Sequence, residues 1–333
     1  MLPKLNLQLG NKKRINLVIK DHVIRYLDSR HPDLKAVRAF GEHYLPDGLI
    51  REGKIVEMPA LVDKLQGCVD EWGIKRRDVQ FLVPDSFIVV RKLQIPSDIQ
   101  SDEVKGYFFM ELGSSIHLPF DNPIFDTVIL GEKNGKKDVL LFATPENIVK
   151  DYSDLLEQVK LHPVVADISP LAIYRLYYQL GLVQQEEHAL CIQFDVQTVN
   201  ISIFHDHKIL FMRHLRMDVD WAGWKVEKDA LGVDNLKWAG DIDYIHNELL
   251  AMIAEIERVM SFYRFSMNQG KSQITRILLN GDHPLLEWIE DQILARMDVP
   301  TSSLKDEKIT TLKGEHILPQ HHLTLGLSLK EVK

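Results

Sequence analysis

The sequence lacks several features that mark common classes of protein. It has only 2 cysteines in 333 residues, and both, Cys68 and Cys191, lie in apolar patterns. They therefore predict buried, reduced side chains and neither a disulfide nor a metal site. No apolar run approaches the ~18 residues that a membrane-spanning helix needs. Segment 1–14 has no long apolar core and no small-residue cleavage site, so we expect no signal peptide.

An excess of positive charge is also absent, as are common catalytic motifs. The net charge is −8, so no global basic field favours binding to nucleic acid or to anionic lipid. No Gly-x-Ser-x-Gly elbow is present to hold a nucleophilic serine. Gly270-Lys271-Ser272 resembles the end of a phosphate-binding loop, but Phe265 occupies the position of the earlier glycine. We therefore interpret this segment as a helix C-terminus followed by a loop.

Two histidine pairs have too few neighbouring ligands to indicate a metal site. His205-Asp206-His207 coincides with a predicted hairpin turn, where neighbouring side chains point to opposite faces. His321-His322 has no third ligand nearby, whereas protein zinc sites use three or four protein ligands. We predict a solvated turn at the first pair, a surface position for the second, and no metal site.

One pattern occurs twice in the chain. Segment 190–215 has the alternating apolar and polar residues of three strands joined by tight turns. A long helical pattern follows, and then a strand that ends at Asn280-Gly281-Asp282. Segment 15–72 has the same order of strands, acidic turn and helix. The repetition predicts two related half-domains in an α/β protein.

Other segments differ in how clearly they indicate structure. Ile95-Pro96 interrupts a strand pattern, and an acidic helix is predicted over about 102–112. Asn134-Gly135 is a strong hairpin-turn signal. Segment 241–265 has the strongest helical periodicity in the chain, whereas segment 221–238 has no clear period.

The order of several short motifs resembles a known family. Segments 45–55, 83–93 and 166–172, together with Ile95-Pro96 and Leu118-Pro119-Phe120, resemble the type IV pilus assembly protein PilM family. This family belongs to the actin-like ATPase superfamily and is related to FtsA. The resemblance covers nearly the whole chain. It implies an α/β, actin-like two-lobed fold with duplicated mixed five-stranded sheets and a small inserted subdomain.

The resemblance also implies boundaries and a first nucleotide-binding loop. The first lobe is expected at 1–185, with the inserted subdomain at about 96–126, and the second lobe at 186–333. The family's first phosphate loop is an Asp-x-Gly turn, whose positions fall here at Leu17 and Ile19. Leucine cannot hold a magnesium-bound water, and a branched side chain blocks the close backbone approach that glycine permits.

The second phosphate loop and the adenine loop are only partly retained. The second loop keeps Asp195 but has Gln197 in place of its glycine, and the adenine loop keeps Gly281, followed by Asp282. These four are the candidate nucleotide-binding residues of a degenerate site. Asp195 has two interpretations: it orders a magnesium-bound or nucleophilic water, as the resemblance implies, or it bonds to the backbone of its own turn. We expect no cofactor, and the resemblance implies ATP and Mg²⁺ as the alternative.

The resemblance implies a protein partner as well. The family docks the N-terminal tail of a PilN-like membrane protein between the core of the first lobe and the inserted subdomain. The tail is extended, so main-chain bonds and a few side-chain anchors are expected to hold it. The candidate residues of this peptide cleft are apolar side chains for pockets and charged ones for register: Phe87, Arg91, Leu93, Tyr107, Glu111 and Leu118.

These observations lead to one leading interpretation and two alternatives. We expect a non-enzymatic scaffold of a type IV pilus or related assembly machinery. It is expected in the cytoplasm, peripheral to the inner face of the cell membrane through its PilN-like partner. The alternatives are an active ATPase of the same fold and machinery, and an FtsA-like filament protein linked to the membrane. No nucleic-acid partner is expected.

Overall fold

The computed structural model describes residues 14–228, 234–305 and 309–331. We predicted from segment 1–14 that no signal peptide is present. Residues 1–13 of that segment lie outside the described residues. Within the described chain, no helix is long and apolar enough to span a membrane. The same residues contain no group of three or more His, Cys, Asp or Glu arranged to hold a metal ion.

The first lobe is built on a mixed five-stranded sheet. In spatial order its strands are β10 (His162–Asp167), β6 (Asp78–Leu82), β1 (Ile15–Lys20), β2 (Val23–Ser29) and β3 (Val37–Tyr44). Strand β1 pairs antiparallel with β2 and parallel with β6. Its sequence is almost continuously apolar because β1 is central and buried on both faces. Helices α1 (Met58–Trp72) and α3 (Glu146–Gln158) pack on this sheet in the first-lobe core.

The second lobe repeats this arrangement. Its sheet has the order β13 (Lys208–Arg216), β12 (Thr198–His205), β11 (Ala189–Phe194), β16 (Arg276–Gly281) and β17 (Thr301–Ser303). Strand β11 pairs antiparallel with β12 and parallel with β16, as β1 does with β2 and β6. Helices α5 (Ile242–Phe262) and α6 (Leu286–Arg296) pack on it. The two equivalent sheets confirm the predicted duplication and the actin-like two-lobed fold.

Two helices lie between the sheets and join the lobes. Helices α4 (Ser169–Gln179) and α7 (His322–Ser328) share a core with residues of both lobes. His321 and His322, at the start of α7, are only 2% and 3% exposed. The prediction that they form a surface pair was therefore wrong. Every residue of α7 is buried, because this helix packs against both α4 and the first-lobe sheet.

A third sheet forms a separate unit on the first lobe. It has the order β7 (Val89–Pro96), β9 (Lys136–Pro145) and β8 (Pro123–Lys133), and helix α2 (Val104–Glu111) packs on it around its own small core. Ile95-Pro96 is the end of β7, paired with β9, so the strand continues through the predicted interruption. We call residues 89–145 the inserted subdomain. Its sheet begins before residue 96 and continues past residue 126, beyond the predicted insertion.

The remaining elements are short turns and hairpins. Strands β14 (Trp224–Lys228) and β15 (Asp234–Trp238) form a hairpin in the segment that had no clear period. Asp206 and His207 have φ angles of 52° and 56°, as in a type I′ hairpin turn, which confirms the turn predicted there. Gly270 has φ +78° and donates its N–H to the carbonyl of Arg264, which confirms a helix C-terminus at this position.

Candidate functional site

Two hairpin turns face each other across the cleft between the lobes. The first joins β1 to β2 through Asp21 and His22, because Lys20 pairs directly with Val23. The second joins β11 to β12, and it is closed by a 2.8 Å bond from the N–H of Asp195 to the carbonyl of Thr198. The strand duplication thus brings the two turns to equivalent positions on opposite lobes.

The ammonium group of Lys20 bridges the lobes at this point. It lies 2.7 Å from a carboxylate oxygen of Asp195 and 3.0 Å from one of Asp282. Burial alone lowers the pKa of Lys20, but the two carboxylates outweigh it, and the pKa lies above its ordinary value. The charged amine is therefore stabilised in this position. Asp195 accepts a second bond from Gln193, at 2.8 Å, and not from the backbone of its own turn.

On the second lobe, the carboxylate of Asp282 contacts three basic side chains of the first lobe. Besides Lys20, it accepts a bond from the guanidinium of Arg25, and the Nε2 atom of His22 lies 3.3 Å away. Burial raises the pKa of this carboxyl, but these neighbours hold it well below its usual range. By contrast, burial raises the pKa of Asp195 to about 7, against the pull of Lys20. Asp282 therefore keeps its negative charge more firmly than Asp195.

The ion pairs divide the cleft into two cavities. Lys20 and Asp195 border a cavity of about 90 Å³. Arg25 and Asp282 border a second one, of about 550 Å³, which reaches the β14–β15 hairpin. Pockets that bury drug-sized ligands enclose about 300–1,000 Å³, so the first cavity is smaller than such pockets and the second falls within their range. A nucleotide that extends from one cavity to the other would have to displace the side chain of Lys20.

The small cavity is lined by polar groups from both lobes. Asp85, in the loop after β6, accepts a bond of 2.6 Å from the hydroxyl of Ser169 and one of 3.0 Å from the amide of Asn200. The amide oxygen of Asn200 lies 2.7 Å from the Nδ1 atom of His214. Burial raises the pKa of Asp85 and lowers that of His214. This network is a second polar connection between the lobes.

The predicted first phosphate loop lies elsewhere in the structure. Leu17 and Ile19, which occupy the family's Asp and Gly positions, are strand residues packed in the first-lobe core. The turn itself contains Asp21, whose carboxylate accepts the backbone N–H groups of Glu52 at 2.6 Å and Gly53 at 2.9 Å. Burial raises the pKa of Asp21. Its side chain thus fixes a neighbouring loop of the first lobe.

The four candidate nucleotide residues have different environments. Asp195 and Asp282 meet at Lys20, but Gln197 donates its amide N–H to the carbonyl of Val219 at 2.8 Å. Gly281 has φ +137°, and a Cβ there would lie 1.8 Å from the carbonyl oxygen of Phe194. Strand pairing alone therefore requires glycine at 281. No sequence pattern connects Asp195 with its partner Lys20, because the two residues are 175 positions apart.

An apolar groove lies between the inserted subdomain and the core of the first lobe. Its volume is about 380 Å³. Ile124 and Val128 of β8 border it and are 45% and 43% exposed. Ile168 and Leu171 border it from the first-lobe side, and Lys208 from the tip of the second-lobe β12–β13 hairpin. Exposed apolar side chains around a concave surface are typical of a docking site.

The six residues predicted for the peptide cleft lie outside this groove. Phe87 packs against the first-lobe core, and Leu93, Tyr107 and Leu118 pack around α2 on the opposite face of the subdomain sheet. Arg91 donates a 2.7 Å bond to the carbonyl of His117, and Glu111 accepts a bond from Ser115. The structure therefore brings three of the six, Leu93, Tyr107 and Leu118, together around the core of the subdomain. Whether any of them contacts a peptide stays a prediction.

Two duplicated lobes around a central cleft define a protein of the actin-like class, and comparisons agree with this class. A protein in the structure of a PilM-PilN type IV pilus biogenesis complex superimposes with a TM-score of 0.76, at 18% identity, over 95% of this chain and 98% of that one. The ethanolamine utilization protein EutJ from Carboxydothermus hydrogenoformans gives 0.51, at 9% identity, over 96% and 90%. At these identities both show the fold alone.

A sequence family identifies the chain more closely. Residues 23–220 match the family described as type IV pilus assembly protein PilM. This match covers more than half of the chain, so the protein belongs to that family. A search of curated proteins found no match.

Proposed function

We propose that this protein is a cytoplasmic scaffold of a type IV pilus machinery that holds the extended N-terminal tail of a PilN-like membrane protein in the apolar groove. The observation that carries the proposal is the groove itself, with Ile124 and Val128 exposed on one wall. The match to a protein of a PilM-PilN complex supports the identity of the partner. The tail would hold the protein at the inner face of the membrane.

The geometry of the groove suits an extended peptide. Strand β8 is the edge strand of the subdomain sheet, and β10 is the edge strand of the first-lobe sheet. Unpaired strand edges bind extended peptides through main-chain bonds, and pockets beside them select alternate side chains. Ile124 and Val128 are four residues apart on β8 and therefore lie on the same face. They are placed to contact alternate apolar residues of such a tail.

We also propose that the protein does not act as an ATPase. The second phosphate loop has Gln197 where the family resemblance implies glycine, and the first-lobe turn at the cleft is formed by Asp21 and His22. In addition, Lys20 lies between the two cavities of the cleft and is already paired with Asp195 and Asp282. Each lost bond to a charged phosphate removes about 1.5–3 kcal/mol, so losing several removes most of the affinity.

The docking proposal is tested with a synthetic peptide that copies the N-terminal tail of a PilN-like membrane protein from the same genome. We expect it to bind the full-length chain, and Val128→Glu to weaken binding by ~1–3 kcal/mol, because the substitution places a charge against an apolar anchor. Val226→Glu is the matched control, because Val226 is equally exposed, at 43%, but lies on the β14–β15 hairpin. No binding of the peptide to the folded wild-type protein would overturn the proposal.

A second variant locates the peptide. Arg91 lies in the cleft predicted from the sequence and does not border the groove. If Arg91→Glu weakens binding of the peptide and Val128→Glu does not, the tail docks in the cleft predicted from the sequence and not in the groove.

The nucleotide proposal is tested by calorimetric titration with ATP and Mg²⁺. We expect little or no heat of binding. A micromolar dissociation constant that Asp195→Ala abolishes would show that the nucleotide site is functional and would favour the ATPase alternative.

A further inference from the structure

We propose that the side chain of Lys20 is a built-in latch, which holds the two lobes closed when no ligand occupies the cleft. The latch consists of Lys20 on the first lobe and Asp195 and Asp282 on the second. This inference goes beyond the proposed function, because it concerns the conformation of the whole molecule and not its partner.

The geometry of the latch requires closed lobes. Asp195 and Asp282 come from different connections of the second lobe, one after β11 and the other after β16, yet one ammonium group reaches both. The side chains of Lys20, Asp195 and Asp282 are 16%, 8% and 2% exposed. Any separation of the lobes therefore breaks both ion pairs and admits water to all three groups.

The charges that meet at this contact are sorted by lobe. The first lobe supplies the cations, Lys20 and Arg25, and the second lobe supplies the anions, Asp195 and Asp282. The raised pKa of Lys20 and the lowered pKa of Asp282 show that both groups are more stable as ions here than in water. At Lys20 and Asp282 the attraction between the lobes therefore outweighs the effect of burial on the pKa, whereas at Asp195 burial outweighs the pull of Lys20.

Other contacts between the lobes are compatible with this closed state. The ring centroids of His22, on the first lobe, and Trp221, on the second, are 5.8 Å apart. Farther along the rim, Arg216 of the second lobe is paired with Glu52 of the first. In a two-lobed fold that closes around a ligand, the ligand supplies the charges that hold the lobes. Here the protein supplies them from its own side chains.

The test measures the distance between the lobes in the full-length chain. Spin labels are attached at Asp47→Cys on the first lobe and Lys225→Cys on the second, because both positions are exposed and Cys68 and Cys191 are buried. Double electron–electron resonance should give a single narrow distance without any ligand. Lys20→Met should replace it with a broad distribution that extends to longer distances.

Two further measurements separate the latch from a general loss of structure. Lys92→Met is the matched control, because Lys92 forms a 2.8 Å ion pair with Asp138 that is exposed and lies within one unit. It should keep the narrow distance. In Lys20→Ala, propylammonium chloride should restore the narrow distance and potassium chloride at equal concentration should not. If Lys20→Met does not fold, Asp195→Asn is measured in its place.

Two results would overturn the latch. One is a broad distance distribution in the ligand-free wild-type protein. The other is an unchanged narrow distribution in a folded Lys20→Met or Asp195→Asn variant. The latch is judged from the distance between the lobes and the proposed function from binding of the peptide, so failure of one and failure of the other are distinguishable.

Discussion

Asp282 is the residue on which the interlobe contacts converge, and its replacement should be costly. Asp282→Asn leaves Lys20 and Arg25 without one of their counter-charges, although Asp195 and Glu42 remain. Removing one partner of a buried ion pair costs about 3–5 kcal/mol, and we expect roughly 3 kcal/mol here because of these remaining partners. Chemical denaturation measures this loss.

The matched control for this prediction is Asp291→Asn, an exposed residue of α6. It should change the free energy of unfolding by less than about 0.5 kcal/mol. Equal effects of the two substitutions would show that the cluster around Asp282 contributes nothing to stability.

His322 should make the protein less stable in mild acid. Burial lowers the pKa of His322 to about 4, whereas the unfolded value is 6.5. Stability is therefore fully present above pH 6.5 and falls as the pH decreases toward 4, because the unfolded state then binds a proton that the folded state excludes. Between pH 7 and pH 5 this group should remove about 2 kcal/mol.

The measurement is a series of urea denaturations from pH 8 to pH 5, with wild-type protein and His322→Leu. The variant should lose about 2 kcal/mol less than the wild type between pH 7 and pH 5. Between pH 7 and pH 8 the two curves should run parallel, which is the internal control. Parallel curves over the whole range would contradict a buried, neutral His322.

At the residue scale, sequence patterns predicted turns, but they did not identify which side chains pair or pack together over long separations. Asp206-His207 was predicted as a turn because its spacing between strands is local information. Lys20 and Asp195 lie 175 positions apart, and no spacing rule connects them. His321-His322 was predicted to lie on the surface because no third metal ligand is near the pair in the sequence. Its burial results from the packing of α7 between α4 and the first-lobe sheet.

Among the elements, the crossing of α4 and α7 is a close approach that a single substitution can test. A Cβ at Gly326 would lie 2.2 Å from the carbonyl oxygen of Ala172, which is backbone and cannot move aside. Overpacking a core costs about 1–3 kcal/mol and sometimes more, so Gly326→Ala should destabilise the protein by at least about 1 kcal/mol. Thermal and chemical denaturation measure this loss of stability.

Gly67→Ala supplies the control for this prediction. Gly67 lies inside α1, and nothing is within 4 Å of its Cβ position. Alanine is favoured over glycine in a helix, so this variant should be more stable by about 0.5–1 kcal/mol. If both alanines stabilise the protein, the tight crossing of α4 and α7 is not present in solution.

The elements that the sequence predicted are those with a regular pattern. The paired hairpins and the long helix α5 follow from alternation and from helical periodicity. The β14–β15 hairpin was missed because its two strands are only five residues long and rich in charged residues, and only Trp224 and Leu236 are buried. Strand β7 was expected to stop before Pro96, but proline fits the end of a strand that leaves the sheet there.

For the whole molecule, the duplication was visible in the sequence, whereas the position of the lobes was not. Each lobe folds around its own core, and local patterns describe those cores well. The relation between the lobes depends on α4, α7 and a few ion pairs formed over long sequence separations. The groove depends on the same relation, because Lys208 of the second lobe borders it. Its residues were therefore beyond sequence reasoning, although a cleft beside the inserted subdomain was implied by the family.

The last prediction concerns coupling between the cleft and the groove. If the cleft binds no nucleotide, ATP and Mg²⁺ have no means of changing the affinity of the groove for its peptide, because coupling between two sites is reciprocal and requires both to bind. We therefore expect the same dissociation constant for a fluorescent tail peptide with and without saturating ATP and Mg²⁺, measured by anisotropy. Val128→Glu should weaken binding of the peptide by the same factor with and without ATP and Mg²⁺. A change of about 5-fold or more on addition of ATP, the lower end of typical allosteric coupling, would show a working nucleotide site linked to the groove.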